Sequence, residues 1–157
     1  MNEKPDRAAI IAPPPLMTVM CIAAGAVIEH FKPFPLLPGL GHSRITICIT
    51  LLIVAATLIG SAIRQFRQHN EHPSPYKPTV AIMDSGIYGR TRNPIYVGFL
   101  IVVLAAAVAM NSLWMAIFFV VLFLLLHFGV VRPEERYLSG KFGSGYDDYR
   151  RRVPRWI

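Results

Sequence analysis

Charge is scarce in this chain. Only 16% of its 157 residues are Asp, Glu, Lys or Arg, where a soluble domain carries about 25%. Acidic residues are the scarcer sign: nine against sixteen basic ones, for a net charge of +7. Cysteine is nearly absent. Cys21 and Cys48 both lie inside apolar stretches, which argues against a disulfide, a metal site or a redox role and for small core side chains. Internal repeats and low-complexity tracts are missing, and thirteen prolines with eleven glycines are too few for a collagen-like or low-complexity chain. What the chain has in excess is apolar residues, at 54% with a mean hydropathy of +0.44. That excludes intrinsic disorder and implies a small integral membrane protein.

Four spans are expected. The clearest is Ile45 to Ile63, nineteen residues without a charge between Arg44 and Arg64. It would be about 28 Å long, close to a hydrocarbon core of about 30 Å. Ile95 to Val131 is too long for one crossing and is interrupted at Met110-Asn111-Ser112, which predicts a tight helical hairpin over 95–110 and 113–131. The weakest span is the first, where Pro13-Pro14-Pro15 precedes the thirteen residues Leu16 to Ile28. Adding Ala8 to Ala12 brings it to membrane length, with the prolines in the first turn, where they are tolerated. Ala24-Gly25-Ala26 resembles a signal-peptide cleavage site, but the mid-segment prolines and acidic Glu3 and Asp6 favour a retained helix.

The basic residues orient these spans. Segments 1–7, 64–94 and 132–157 would share one side. They hold Lys4, Arg7, Arg64, Arg67, Lys77, Arg90, Arg92, Arg132, Arg136, Lys141, Arg150, Arg151, Arg152 and Arg155. Only Lys32 and Arg44 fall on the other side. Both termini are therefore expected in the cytoplasm, and the excess charge is accounted for by orientation and anionic headgroups, without nucleic acid.

Two long polar segments remain, and any chemistry should be built from them. The first ends in Ser85-Gly86-Ile87-Tyr88-Gly89-Arg90-Thr91-Arg92-Asn93-Pro94-Ile95-Tyr96-Val97-Gly98. Its glycines permit tight turns and close backbone approach, and Asn93-Pro94 is a turn that starts the next helix. Helix-start amides beside Arg90 and Arg92 would suit a carboxylate. The alternative is a basic interfacial anchor with Tyr88 and Tyr96 as belt aromatics. The second segment carries Glu134 and Glu135 directly after a span, at the unfavourable end of a helix dipole. They read either as ion pairs with Arg132 and Arg136 or as an acidic group facing a cationic ligand. Leu138, Phe142, Tyr146, Tyr149 and Val153 recur at helical spacing, a stripe expected to pack or to meet the membrane surface. His127, inside the last span, is expected neutral and hydrogen-bonded between helices; Glu29 and His30 lie away from these segments. His69, Glu71 and His72 suggest a solvated loop, and no metal site is expected.

Together these pieces form an ordered set: G-I-Y-x-x-x-R-N-P-x-Y-x-G, an apolar hairpin, E-E-x-x-L, then F-G-x-x-Y-x-x-Y-x-x-x-V-P-R. The sequence resembles the isoprenylcysteine carboxyl methyltransferase family and its relatives among the membrane phospholipid methyltransferases, over about Lys77 to Trp156. The resemblance implies an all-α integral membrane protein of about four transmembrane helices, bacterial in type and so in an inner membrane. A two-helix anchor over 1–76 would precede a core over 77–157 with a cytoplasmic cofactor-binding loop and a C-terminal interfacial helix. It implies S-adenosylmethionine as methyl donor, held by Val80, Ala81, Ile82, Met83, Tyr88, Arg92, Asn93, Pro94, Ile95, Tyr96, Glu134, Tyr146 and Tyr149. Catalytic roles would fall to Glu134, Glu135 and Arg132, with direct in-line transfer to a lipophilic or prenylated acceptor from the bilayer. An acceptor needing deprotonation would turn to Glu135 or Tyr149.

The chain departs from the family pattern twice. Asn93 stands where R-H-P is usual and cannot act as a general base near neutral pH. Val130 stands where prenylcysteine enzymes place a substrate arginine, the nearest being Arg132. Two rival readings are an NADPH-dependent sterol-reductase-like enzyme, favoured by Lys141-Phe142-Gly143, and a non-enzymatic membrane assembly or lipid-binding subunit. The short chain and Glu134-Glu135 weigh against the reductase.

Overall fold

The computed structural model describes residues 7–37, 39, 41, 43–68 and 81–157. Its helices are α1 (Pro14–Phe31), α2 (Ser43–Gln68), α3 (Pro94–Met110), α4 (Leu113–Leu126), α5 (Arg132–Phe142) and α6 (Ser144–Arg152). A short 3-10 turn, Gly86–Gly89, precedes α3, and a π-helical segment, His127–Val131, joins α4 to α5. No strand occurs among the described residues; one isolated bridge pairs Pro35 with Ser112. Three helical stretches, Pro14–Phe31, Ser43–Gln68 and Leu113–Phe142, are long and apolar enough to cross a membrane, and α3 is a shorter apolar helix of 17 residues. The chain is an all-α integral membrane protein.

Outward faces of these helices expose large apolar side chains such as Val19, Ile53 and Phe128, as lipid contact requires and water would not tolerate in such number. The core lies between α1, α3 and α4. Met17 and Cys21 pack there with Leu100, Val103, Met115, Leu122 and Leu126, while α2 lies along α3. Both cysteines are free. The α3–α4 hairpin turns through Asn111, which adopts a left-handed conformation (φ 49°), and Ser112 caps α4 by accepting from the Met115 amide at 3.2 Å.

Two expectations fail. Ala8 to Ala12 do not extend α1, because Pro13 to Pro15 supply no amide donors and the helix begins at Pro14. Instead Ile11 lies against the π segment, its amide donating to the Gly129 carbonyl at 3.1 Å. Any side chain at residue 129 would collide with Ile11. The second hairpin arm also does not stop at Val131. It runs on through the π segment to Phe142, so Glu134 and Glu135 sit within a continuous helical run and not at the negative end of a dipole.

The chain then reverses at Gly143, whose φ of 57° and ψ of −131° favour glycine. This folds α6 back on α5. The stripe Leu138, Phe142, Tyr146, Tyr149 and Val153 therefore does not lie on the membrane surface; it closes into a small apolar cluster with Ile82.

Candidate functional site

The polar end of the bundle encloses a cleft with about 920 Å³ of empty space, its open mouth included. Five segments form its walls: the stretch before α1 at Ala8, the end of α2, the loop from Ala81 into the start of α3, the π segment with α5, and α6. Ala81, Ile82, Met83, Tyr88, Arg92, Asn93, Pro94, Ile95, Tyr96, Glu134, Glu135, Tyr146 and Tyr149 all line it. These residues come from sequence positions more than sixty apart. Val80 lies outside the described residues, as do His69, Glu71, His72 and Lys77. Ala8, Phe66, Val131, Tyr137 and Leu138 also line the cleft. Ala8 and Phe66 escape a sequence reading because their segments look like membrane anchor until α2 is folded against the loop. Phe66 then meets Tyr88 edge to face, ring centres 5.6 Å apart.

The two adjacent carboxylates are treated differently. Glu135 is buried, and Arg155 grips it in a fork, Nε to Oε1 at 2.8 Å and Nη2 to Oε2 at 2.7 Å. Arg92 adds a third contact, Nη1 to Oε1 at 2.8 Å. Such paired hydrogen bonds are strong and directional. Arg155 is the residue the motif contains but sequence reasoning gave no role. Its guanidinium, from beyond α6, ties the C-terminal tail to α5. The tail is pinned from the other side as well: Asn93 Nδ2 donates to the Arg155 carbonyl at 2.8 Å, and the Arg92 amide donates to Pro154 O at 3.0 Å. Asn93 is thus a clamp for the tail.

Glu134, one residue before Glu135, is half-buried at the cleft wall, where Tyr96 donates its hydroxyl to Oε1 at 2.7 Å. Opposite it, Tyr149 donates its hydroxyl to the Tyr88 carbonyl at 2.8 Å, and Arg92 Nη1 reaches the Tyr146 hydroxyl at 3.4 Å. Burial raises the pKa of Tyr88, Tyr146 and Tyr149 above the usual phenol value, so all three stay neutral donors. Arg92 Nε is buried without a partner among the described residues. Neither group considered as a base is placed for that work: both oxygens of Glu135 are taken by arginines, and the Tyr149 hydroxyl is committed to a backbone carbonyl.

Arg132 does not join the cleft. Two residues before Glu134, about half a helical turn, it falls in a neighbouring groove, where its guanidinium lies 5.1 Å from the Phe128 ring centre. His127 accepts from Trp156 Nε1 at 3.4 Å and stacks on the same ring, so its partner is the tail and not another span. Glu29, away from the cleft, accepts from Ser112 Oγ at 2.5 Å. No cluster of metal-binding side chains occurs among the described residues.

Comparison with known proteins gives the same family as the motif order. The sequence model of the family described as phospholipid methyltransferase matches residues 43–145, about two thirds of the chain. A Schizosaccharomyces pombe protein named protein-S-isoprenylcysteine O-methyltransferase is 29% identical over 114 residues, covering 71% of this chain and 48% of the yeast protein. The chain thus spans about half the length of that relative. No solved structure matches it. With its signature residues gathered around one cleft, the chain belongs to the phospholipid methyltransferase family.

Proposed function

We propose that this protein is an S-adenosylmethionine-dependent methyltransferase acting on an amphipathic, membrane-embedded acceptor, a carboxylate on a prenylated or other lipid-like molecule being favoured. One observation carries the reading: a half-buried carboxylate, Glu134, stands among aromatic and apolar walls in a cleft at the polar end of a membrane bundle. When bound, S-adenosylmethionine supplies an electrophilic methyl group on a cationic sulfur. The residues present fit that molecule. Glu134, oriented by Tyr96, offers a negative charge, and the tyrosine faces suit a cation. Arg92, with its unpartnered buried Nε, offers a donor to a carboxylate.

The chain's own contribution is alignment and exclusion of water, which suffices for a nucleophile that carries its own charge. With Glu135 and Tyr149 both committed, the cleft favours a carboxylate or thiolate over an amine needing a base. The name of the yeast relative points to oxygen as the accepting atom. Donor and acceptor would meet at the cytoplasmic interface, both termini lying on that side, with the acceptor tail left among the helices.

Titration calorimetry on the purified protein in detergent tests this. S-adenosylmethionine is expected to bind, NADPH is not, and Glu134→Gln is expected to weaken donor binding at least about tenfold with helicity and melting temperature retained. Binding of NADPH without S-adenosylmethionine would overturn the proposal in favour of a reductase. Unchanged donor binding in Glu134→Gln would remove that carboxylate from the site. Product analysis after incubating membranes with labelled donor identifies the acceptor class.

A further inference from the structure

Next to the cleft, and sharing Glu135 with it, α5, α6 and the tail form a second groove lined by Arg132, Glu135, Arg136, Ser139, Gly140, Arg150 and Arg155. Four guanidiniums converge there from three segments, and the methyl-transfer reading uses only one of them. Arg132, Arg136 and Arg150 make no ion pair among the described residues. The nearby acid on α6, Asp147, is occupied by the Ser139 hydroxyl at 2.9 Å. Glu135 is saturated by Arg92 and Arg155 and forms a closed wall between groove and cleft. The groove therefore holds four arginines against one carboxylate, already taken by Arg92 and Arg155, and keeps net positive charge.

Its surroundings say what kind of anion fits. Arg132 lies over the ring of Phe128. That ring is 55% exposed and continues an apolar face through Leu124 and Val120, themselves 46% and 52% exposed. The face belongs to a membrane-crossing helical run, Leu113–Phe142, and leads directly into the arginines. A free anion in solution would need only the charges. The juxtaposition of a lipid-facing stripe with a guanidinium cluster at its end matches one molecule: a phospholipid whose chain lies on the stripe and whose phosphate enters the groove.

We propose that the Arg132–Arg136–Arg150–Arg155 groove is a binding site for the headgroup of an anionic phospholipid, distinct from the methyl-transfer cleft. Because Arg155 faces the groove with its guanidinium and also holds Glu135, the lipid braces the clamp that closes the back of the cleft.

The test uses the purified full-length chain in a neutral detergent, with dihexanoyl phosphatidylglycerol, dihexanoyl phosphatidylcholine and inorganic phosphate as separate probes. Saturable binding of the glycerol lipid is expected, with the choline lipid and phosphate both much weaker. Arg136→Gln with Arg150→Gln is expected to weaken that binding about twentyfold, and Arg136→Lys with Arg150→Lys to restore most of it. S-adenosylmethionine affinity serves as the folding control and should change less than about twofold in both variants. Equal binding of phosphate and glycerol lipid would overturn the lipid assignment in favour of a soluble anion. Undiminished lipid binding in the folded glutamine variant would overturn the site itself, as would a lysine variant that folds but recovers nothing.

Discussion

The two ends of the helical bundle use similar side chains to opposite effect. At the α3–α4 turn, a short loop is laced to the hairpin by backbone bonds, Leu36 N to Asn111 O at 3.0 Å and Leu113 N to Phe34 O at 2.9 Å. Asn111 Oδ1 accepts from Leu37 N at 2.8 Å, Trp114 donates to Lys32 O at 2.7 Å, and Glu29 holds Ser112. That end is closed. At the other end the walls come from five segments, and a cleft remains between them. Glu135 is saturated there as Glu29 is tied at the turn, whereas Glu134 has a single phenol at 2.7 Å. A carboxylate whose oxygens are taken by fixed donors holds structure together. One that is half-buried with a single phenol as partner among the described residues keeps an oxygen to offer a ligand.

The sharpest way to break this contrast is Glu135→Gln. It leaves the guanidiniums of Arg92 and Arg155 facing each other, the first of them only 8% exposed. The expected cost is about 3–5 kcal/mol of stability, read as a lower detergent melting temperature, together with loss of donor binding as the cleft wall loosens. If Glu135→Gln and Glu134→Gln behave alike, the division of labour between the two acids is wrong.

At the closed end, Ser112→Ala removes the α4 cap and the donor to Glu29. A loss of about 1–2 kcal/mol is expected, with S-adenosylmethionine affinity unchanged by calorimetry. A change in affinity would show that the two ends are coupled.

The smallest effect is expected from Tyr149→Phe, which deletes the bond to the Tyr88 carbonyl and should cost about 1 kcal/mol. Its value is in pH dependence. Burial holds the pKa values of Tyr88, Tyr146 and Tyr149 above that of a free phenol. The stabilisation they give is therefore complete below about pH 10 and is lost as pH rises past it, when the unfolded chain sheds protons that the fold retains. Melting temperature should show no tyrosine-dependent slope between about pH 6 and 9 and should fall above about pH 10. Tyr149→Phe should flatten part of that fall.

Much of this architecture was legible in the chain. The span of α2, the hairpin break at Asn111-Ser112 and the loop that supplies Tyr88 and Arg92 all follow from apolar runs, turn residues and charge placement. The continuation of α4 into α5 was not, because a π segment leaves no hydropathy break and a proline at position 133 reads as a stop. The stripe on Leu138, Tyr146 and Tyr149 left packing and membrane contact open, and it packs. Only the reversal at Gly143 turns it inward against Ile82. Arg132 beside the acidic pair looked like its partner. The partner is instead Arg155, twenty residues on, which local spacing cannot reveal.

The sequence by itself determined that this is a helical membrane protein with its chemistry-bearing residues in two polar segments, since hydrophobic length and the rarity of charge in lipid leave few alternatives. The tertiary structure alone decided which of two neighbouring glutamates is a strut and which faces the cleft. It also decided that four arginines converge on the groove beside them. The reason is geometric: successive helical residues point about 100° apart, so which side each meets depends on elements folded in from elsewhere in the chain.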